Sequence, residues 1–160
     1  MQIRQISPHN CLDILPVLAE LERYYFKENA ASEAQLTQYL TEQMFSEHSG
    51  VKVVAAYDKD QVLGFASYTV MFPAPNLSGQ MYMKDLFVSS SARGRGVGLL
   101  IMKHLANLAL EIGCKRLDWT AENTNPSAGE FYKKIGASLL HEKEYYRFTG
   151  EQLIAFAKSS

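Results

Sequence analysis

Three glycines and two arginines stand within the six residues Arg93-Gly94-Arg95-Gly96-Val97-Gly98, between a β-rich run that ends near Val88 and an apolar run with helical spacing. A strand that passes through glycines into a helix gathers unobstructed backbone N–H groups and the positive end of a helix dipole around one small volume, which suits a pyrophosphate. Arg93 and Arg95 would add charge-assisted donors. The spacing G-x-G-x-G is not the dinucleotide fingerprint, and no Gly-Lys-Ser/Thr follows for a Walker loop. A single RGRG without repeats or interleaved aromatics is not an RNA-binding tract. Taken alone, the segment fits either an anion cradle or a turn with solvated arginines.

A second constellation lies about thirty residues on. Asn125, Ala128 and Tyr132 are spaced i, i+3, i+7, so a helix places them on one stripe. Asn125 can bond amide groups, Ala128 leaves room for an extended chain, and the Tyr132 hydroxyl can donate a proton. Each also has an ordinary structural explanation, as N-cap, helix former and core aromatic. Cys11 and Cys114 show no CxxC or ligand spacing, and His9, His48, His104 and His141 form no cluster. We therefore expect no metal and no disulfide.

These residues must be held by an alternating order of strands and helices. Residues 2–6 read as a strand, and Cys11, Leu12, Ile14, Leu15, Leu18 and Leu21 recur at helical spacing through Tyr25, with Pro16 as a point for a kink. Ser32 and Gln35 form a capping box for a second helix that buries Leu36, Tyr39, Leu40 and Phe45 and ends at Gly50. Val51–Tyr57 and Val62–Met71, joined by Asp58-Lys59-Asp60, predict an antiparallel hairpin. Pro73, Pro75, Asn76 and Gly79 read as a surface loop. Met81–Val88 is the next strand, and the glycine loop opens a helix that Gly113 stops. Leu117–Thr120 is predicted as a short central strand. Asn125, Pro126 and Gly136 delimit a helix over 126–135. A last strand pair near Ala137–Leu140 and Tyr145–Thr149 precedes a helix from Glu151.

The bulk composition bounds the partners. With 160 residues, of which 47% are hydrophobic and 21% charged, the chain has the makings of one domain over 1–160. Sixteen Lys and Arg against 17 Asp and Glu give a net charge of -1, so no global field favours nucleic acid or an anionic membrane. The first residues lack the apolar stretch of a signal peptide, and no window approaches a membrane span. The expectation is a soluble, cytoplasmic protein.

In combination, the R-x-x-G-x-G at the start of one helix and the N-x-x-A-x-x-F-Y-x-x-x-G-A across the next resemble the GNAT superfamily of N-acetyltransferases. The resemblance runs from about Val51 to Phe148, through LFV at 86–88, RGRGVG at 93–98 and NPSAGEFYKKIGA at 125–137. It is strongest to the diamine and polyamine branch, with LAELERYYF and KDLFV adding to it. It implies an α/β fold whose central, mostly antiparallel sheet is splayed between two parallel strands and flanked by helices. It further implies acetyl-CoA as cosubstrate, a homodimer, and a pantetheine arm held by the backbone of Leu86, Phe87 and Val88. Gly94 to Leu99 would hold the pyrophosphate, with Val97 and Gly98 in the first turn, and Asn125, Ala128 and Tyr132 would contact the rest of the donor.

Acetylation needs a neutral amine, whose free pKa is near 10.4, and a proton for the leaving thiolate. Tyr132 is the expected acid and Asp85 the expected base, with Glu122 as an alternative. The N–H of Phe87 or Val88 would polarise the carbonyl. Glu20, Glu22 and Glu28, with Tyr24 and Tyr25, fall where the branch builds its acceptor pocket, and suit a cationic amine. One departure stands out, because Lys84-Asp85 replaces two acidic residues and disfavours a polycation such as spermidine. The alternatives are a non-catalytic acyl-CoA sensor and an acetyltransferase acting on protein lysines or N-termini.

Overall fold

A computed structural model describes residues 1–159. The chain divides into two compact units, residues 1–120 and the residues from Ala121 onward. The first unit is built on a five-stranded sheet in chain order, β1 (Gln2–Ile6), β2 (Lys52–Asp58), β3 (Gln61–Ala74), β4 (Ser78–Val88) and β5 (Cys114–Asp118). The first three pairings are antiparallel and β4 with β5 is parallel. The β2–β3 hairpin forms as its sequence predicts, with Lys59 taking a positive φ of 56° in the turn.

One face of the sheet carries α1 (Leu15–Phe26) and α2 (Glu33–Tyr39). There Ile14, Val17 and Leu40 meet Val53, Ala55, Tyr57, Phe65 and Phe87 in a core cluster. The third helix, α3 (Val97–Glu111), buries Val97, Ile101, Met102, Leu105 and Ala109 at helical spacing, while Leu99, Leu110 and Ile112 remain exposed. β2 is buried along five consecutive residues, Val53 to Tyr57, because helices cover both of its faces.

Several boundaries differ from the sequence expectation. The first helix begins at Leu15, not Cys11; residues 8–14 form 3-10 turns opened by Ser7, whose N–H donates to Asn10 Oδ1 at 2.7 Å. Pro16 therefore sits in the first turn, where its missing N–H costs nothing, and produces no kink. The Ser32–Gln35 capping box is present, but α2 passes into a π-type turn at Leu40–Met44. Tyr39, the last residue of α2, is 48% exposed rather than buried, and Gly50 lies beyond the helix in a loop.

The surface loop expected from Pro73 to Gly79 is only the exposed turn at residues 75–77. β3 continues to Ala74 and β4 begins at Ser78, and the register skips from Met71 with Gln80 to Ala74 with Ser78 around the proline, which has no N–H to pair. The strand after α3 begins at Cys114 and lies at the edge of the sheet, not its centre. In the second unit, α4 (Pro126–Lys134) and α5 (Gly150–Lys158) form as expected to within a residue or so. The strand pair near 137–140 and 145–149 does not form, and those residues are irregular.

Candidate active site

The parallel ladder between β4 and β5 is short. It runs from Gly79 with Cys114 to Tyr82 with Asp118, closed by Gln80 Nε2 donating to Asp118 Oδ2 at 2.7 Å. β4 continues to Val88 while β5 stops at Asp118, so no strand among the described residues pairs with the outer edge of Met83–Val88. A sheet that opens in this way exposes unpaired N–H and C=O groups that an extended ligand can satisfy.

The direction of those groups follows from the ladder. Ser89 N–H donates to Leu63 carbonyl at 2.9 Å, so Ser89 faces β3. Antiparallel alternation then turns Phe87 and Asp85 backbone groups to β3 as well, and turns Leu86 and Val88 to the open edge. Arg93 Nε reaches the Val88 carbonyl at 3.3 Å from that side. Of the three residues expected to hold a pantetheine, Leu86 and Val88 therefore present their backbone. Phe87 instead gives its side chain to the core, 8% exposed.

A β-bulge sits directly upstream. Ser67 is opposite Asp85 and Tyr68 opposite Met83, leaving Lys84 as the extra, exposed residue. The insertion changes the phase of the alternation and turns Asp85 to the face of Phe87 and α1. Ser67, 1% exposed, donates from Oγ to Asp85 Oδ2 at 2.5 Å. No sequence signal singled out Ser67, because its role depends on strand register. On α1, the Tyr24 ring lies 6.5 Å from that of Phe87 and makes an edge contact with Tyr25 at 5.2 Å. The aromatic residues expected to bind an amine thus border the face that carries Asp85.

The acidic residues of α1 have backbone partners. Glu22 accepts from Ala31 N–H at 3.1 Å, which fixes the connection to α2. Glu20 accepts from Ser90 N–H at 2.7 Å. Burial would raise the Glu20 carboxyl, but hydrogen bonds from Ser90 and Ser89 and the charge of Arg93 outweigh it and hold it below its usual value. Glu28 is exposed in the turn Lys27–Asn29.

Past Val88 the chain makes one 3-10 turn, Ser90–Ala92, and enters the glycine segment. Gly94 and Gly96 have φ of 74° and 78°, and a Cβ on either would point into open space with no atom within 4 Å. Gly96 caps α3 with no side-chain bond, and the first helical bond runs from Leu100 N–H to Gly96 carbonyl at 3.0 Å. The N–H groups of Val97, Gly98 and Leu99 consequently have no intrahelical acceptor. The arginines take protein partners: Arg93 lies over Phe87, 5.8 Å from the ring centre, and Arg95 Nη2 is 3.1 Å from Asp58 Oδ2 on the β2–β3 turn. The loop's donors are its backbone amides, and its arginines brace it. Open glycines, a helix N-terminus and the unpaired edge of β4 together fit an extended ligand that carries a pyrophosphate.

In the second unit Asn125 caps α4 by accepting from Ala128 N–H at 3.3 Å and Ser127 Oγ at 2.9 Å. Phe131 and Tyr132 are both half-buried, with ring centres 5.4 Å apart. Glu122 is exposed, and its carbonyl accepts from Asn125 N–H at 3.0 Å.

The model of the Acetyltransferase (GNAT) family matches residues 15–137. The chain belongs to that family and is an N-acetyltransferase. It is 28% identical over 161 residues to thialysine N-epsilon-acetyltransferase of Mus musculus, covering 95% of this chain and 94% of that protein. It is 30% identical over 97 residues to L-ornithine N5-acetyltransferase NATA1 of Arabidopsis thaliana, covering 61% of this chain and 42% of the other. Among solved structures, integron cassette protein VCH_CASS6 from the mobile metagenome of V. cholerae is 66% identical, with a TM-score of 0.97 over 99% of this chain and 98% of that one.

Proposed function

We propose that the chain transfers the acetyl group of acetyl-CoA to a primary amine of a small, singly or doubly cationic molecule, a diamine or a basic amino acid. The observation that carries this reading is the unpaired edge of β4, which runs from Asp85 into the Gly94–Gly96 cradle. Leu86 and Val88 backbone groups would bond the pantetheine amides as an added strand does, and the amides from Gly94 to Leu99 would hold the pyrophosphate. Asn125 and Ala128 are proposed to contact the remaining length of the donor. The relatives named for thialysine and ornithine acetylation support an amine on a short side chain.

In this reading Asp85, held by Ser67, removes the proton that makes the amine nucleophilic, directly or through a water. A Val88 or Leu86 N–H polarises the thioester carbonyl as the C–N bond forms and the C–S bond breaks. Tyr132 gives its proton to the departing sulfur, whose thiol has a reference pKa of about 8.5 against about 10 for tyrosine. Tyr24, Tyr25 and Glu28 border the amine, while Glu22 shapes that pocket through Ala31. Lys84, exposed on the bulge, disfavours longer polycations by like-charge repulsion.

We further propose that residues 1–160 act as one N-acetyltransferase domain, that the protein is a homodimer, and that it works in a reducing compartment such as the cytoplasm, where the buried thiols of Cys11 and Cys114 persist. No helix among the described residues is long and apolar enough to cross a membrane.

The test is a thiol-release assay with acetyl-CoA over a panel of diamines, basic amino acids, polyamines and lysine peptides, run beside calorimetry with acetyl-CoA alone. Turnover highest with the short amines is expected. Binding without turnover of any amine would replace the enzyme by a sensor, and peptide-only turnover would move the substrate to protein. Sedimentation of the pure protein at micromolar concentration tests the dimer.

A further inference from the structure

The hydrogen bond from Ser90 to Glu20 joins two parts of the first unit that the chemistry uses differently. Glu20 lies on α1, the helix that carries Tyr24 and Tyr25, and Ser90 is the first residue of the 3-10 turn that delivers the chain to Arg93 and Gly94. The two are seventy residues apart in sequence and bonded at 2.7 Å. Around them the turn is otherwise closed by local bonds, Ala92 N–H to Ser89 carbonyl at 2.9 Å and Ser89 Oγ to Ser91 Oγ at 3.0 Å. Such bonds shape the turn but do not fix its direction relative to the rest of the unit. Ser89 N–H on the Leu63 carbonyl anchors the strand side, and Glu20 anchors the helix side. Arg93, three residues further on, lies over Phe87 and donates from Nε to the Val88 carbonyl.

We infer that Glu20 is a positioning residue for the donor: by holding the Ser90 amide it sets where the glycine cradle begins, and so aligns the Gly94–Leu99 amides on the pyrophosphate. The inference rests on the reading that this cradle holds the pyrophosphate of acetyl-CoA. An acidic side chain on the acceptor-side helix therefore serves the donor. A displacement on the order of 1 Å at the turn would weaken several amide-to-phosphate bonds together, since these are directional.

The experiment compares two donors, acetyl-CoA and S-acetylpantetheine, which carries the same thioester arm without the pyrophosphate. In the unmodified protein KM should be far lower for acetyl-CoA; equal KM values would overturn the cradle reading itself. Glu20→Ala should raise the KM for acetyl-CoA roughly tenfold, the loss expected for a charge-assisted hydrogen bond. It should leave KM for S-acetylpantetheine and for the amine within about twofold. Glu20→Gln, which keeps an acceptor oxygen, should recover most of the affinity. Ser90→Pro removes the donor from the other side, and proline is tolerated at a first helical position. It should reproduce Glu20→Ala, and combining the two should add little. Unchanged acetyl-CoA KM in Glu20→Ala or Ser90→Pro overturns the inference, as does an equal loss with both donors, which would mark Glu20 as a general support of the fold.

Discussion

At Gly96 the backbone has φ of 78° and the space beyond its α-carbon is empty, so a substitution there disturbs conformation and cradle without a packing clash. Gly96→Val should raise the acetyl-CoA Kd at least tenfold by calorimetry, since a β-branched residue at positive φ is strained and its methyls would enter the proposed anion cradle. Tyr132→Phe should lower kcat by about 10² or more with a small change in acetyl-CoA affinity, the range expected for removal of a general acid. An unchanged kcat would take the proton-donor role from Tyr132. The sequence singled out both residues by type and place, a glycine before a helix and a tyrosine two turns below an N-cap, and the structure places each there. It did not expose Ser67, a plain serine in an apolar strand until register sets it against Asp85. Glu20 was visible as a charge on an amphipathic helix, but its partner lies seventy residues away.

Elements were legible where local chemistry decides them. The Ser32–Gln35 box, the Asn125–Pro126 start and the turn at Lys59 are short-range signals, and each forms. The extension of β3 and β4 through a proline, the π-type turn after Tyr39 and the edge position of β5 depend on pairing partners and packing that no local window contains. Two element-level predictions follow from such pairing. A Cβ on Gly64 would lie 2.6 Å from the Phe87 carbonyl and 3.1 Å from Val88 Cα. Gly64→Ala should therefore push β3 from β4 and lower both Tm and kcat, measured by thermal melting and thiol release, because the displaced strand end is the edge proposed to hold the donor. Tyr57, 2% exposed, donates to Asp13 Oδ2 at 2.9 Å. Burial first, then the Asp13 bond and charge, push its hydroxyl up to about 12, against a partial opposing effect from Arg4. A raised pKa in the folded state means that the protonated form is favoured by folding. That contribution is complete below pH 10 and is lost as pH rises from 10 toward 12. Tyr57→Phe should flatten this part of the stability curve relative to the unmodified protein in denaturant titrations.

For the molecule as a whole, a ligand that binds only the folded chain must stabilise it. Acetyl-CoA at about a hundred times its Kd should contribute about 2.7 kcal/mol and raise Tm by several degrees, and no shift would count against donor binding altogether. The open side of β4 has a second consequence. From Met83 to Val88 no strand among the described residues lies beside it, only Arg93 reaching the Val88 carbonyl, and such an edge accepts an extended segment, including that of a neighbouring molecule. A cosubstrate bound there, as proposed, would then also serve as a guard against self-association. Purification and storage with coenzyme A should keep the protein monodisperse under conditions where the ligand-free form scatters light, and Lys84, a charge at the head of that edge, would be its built-in gatekeeper.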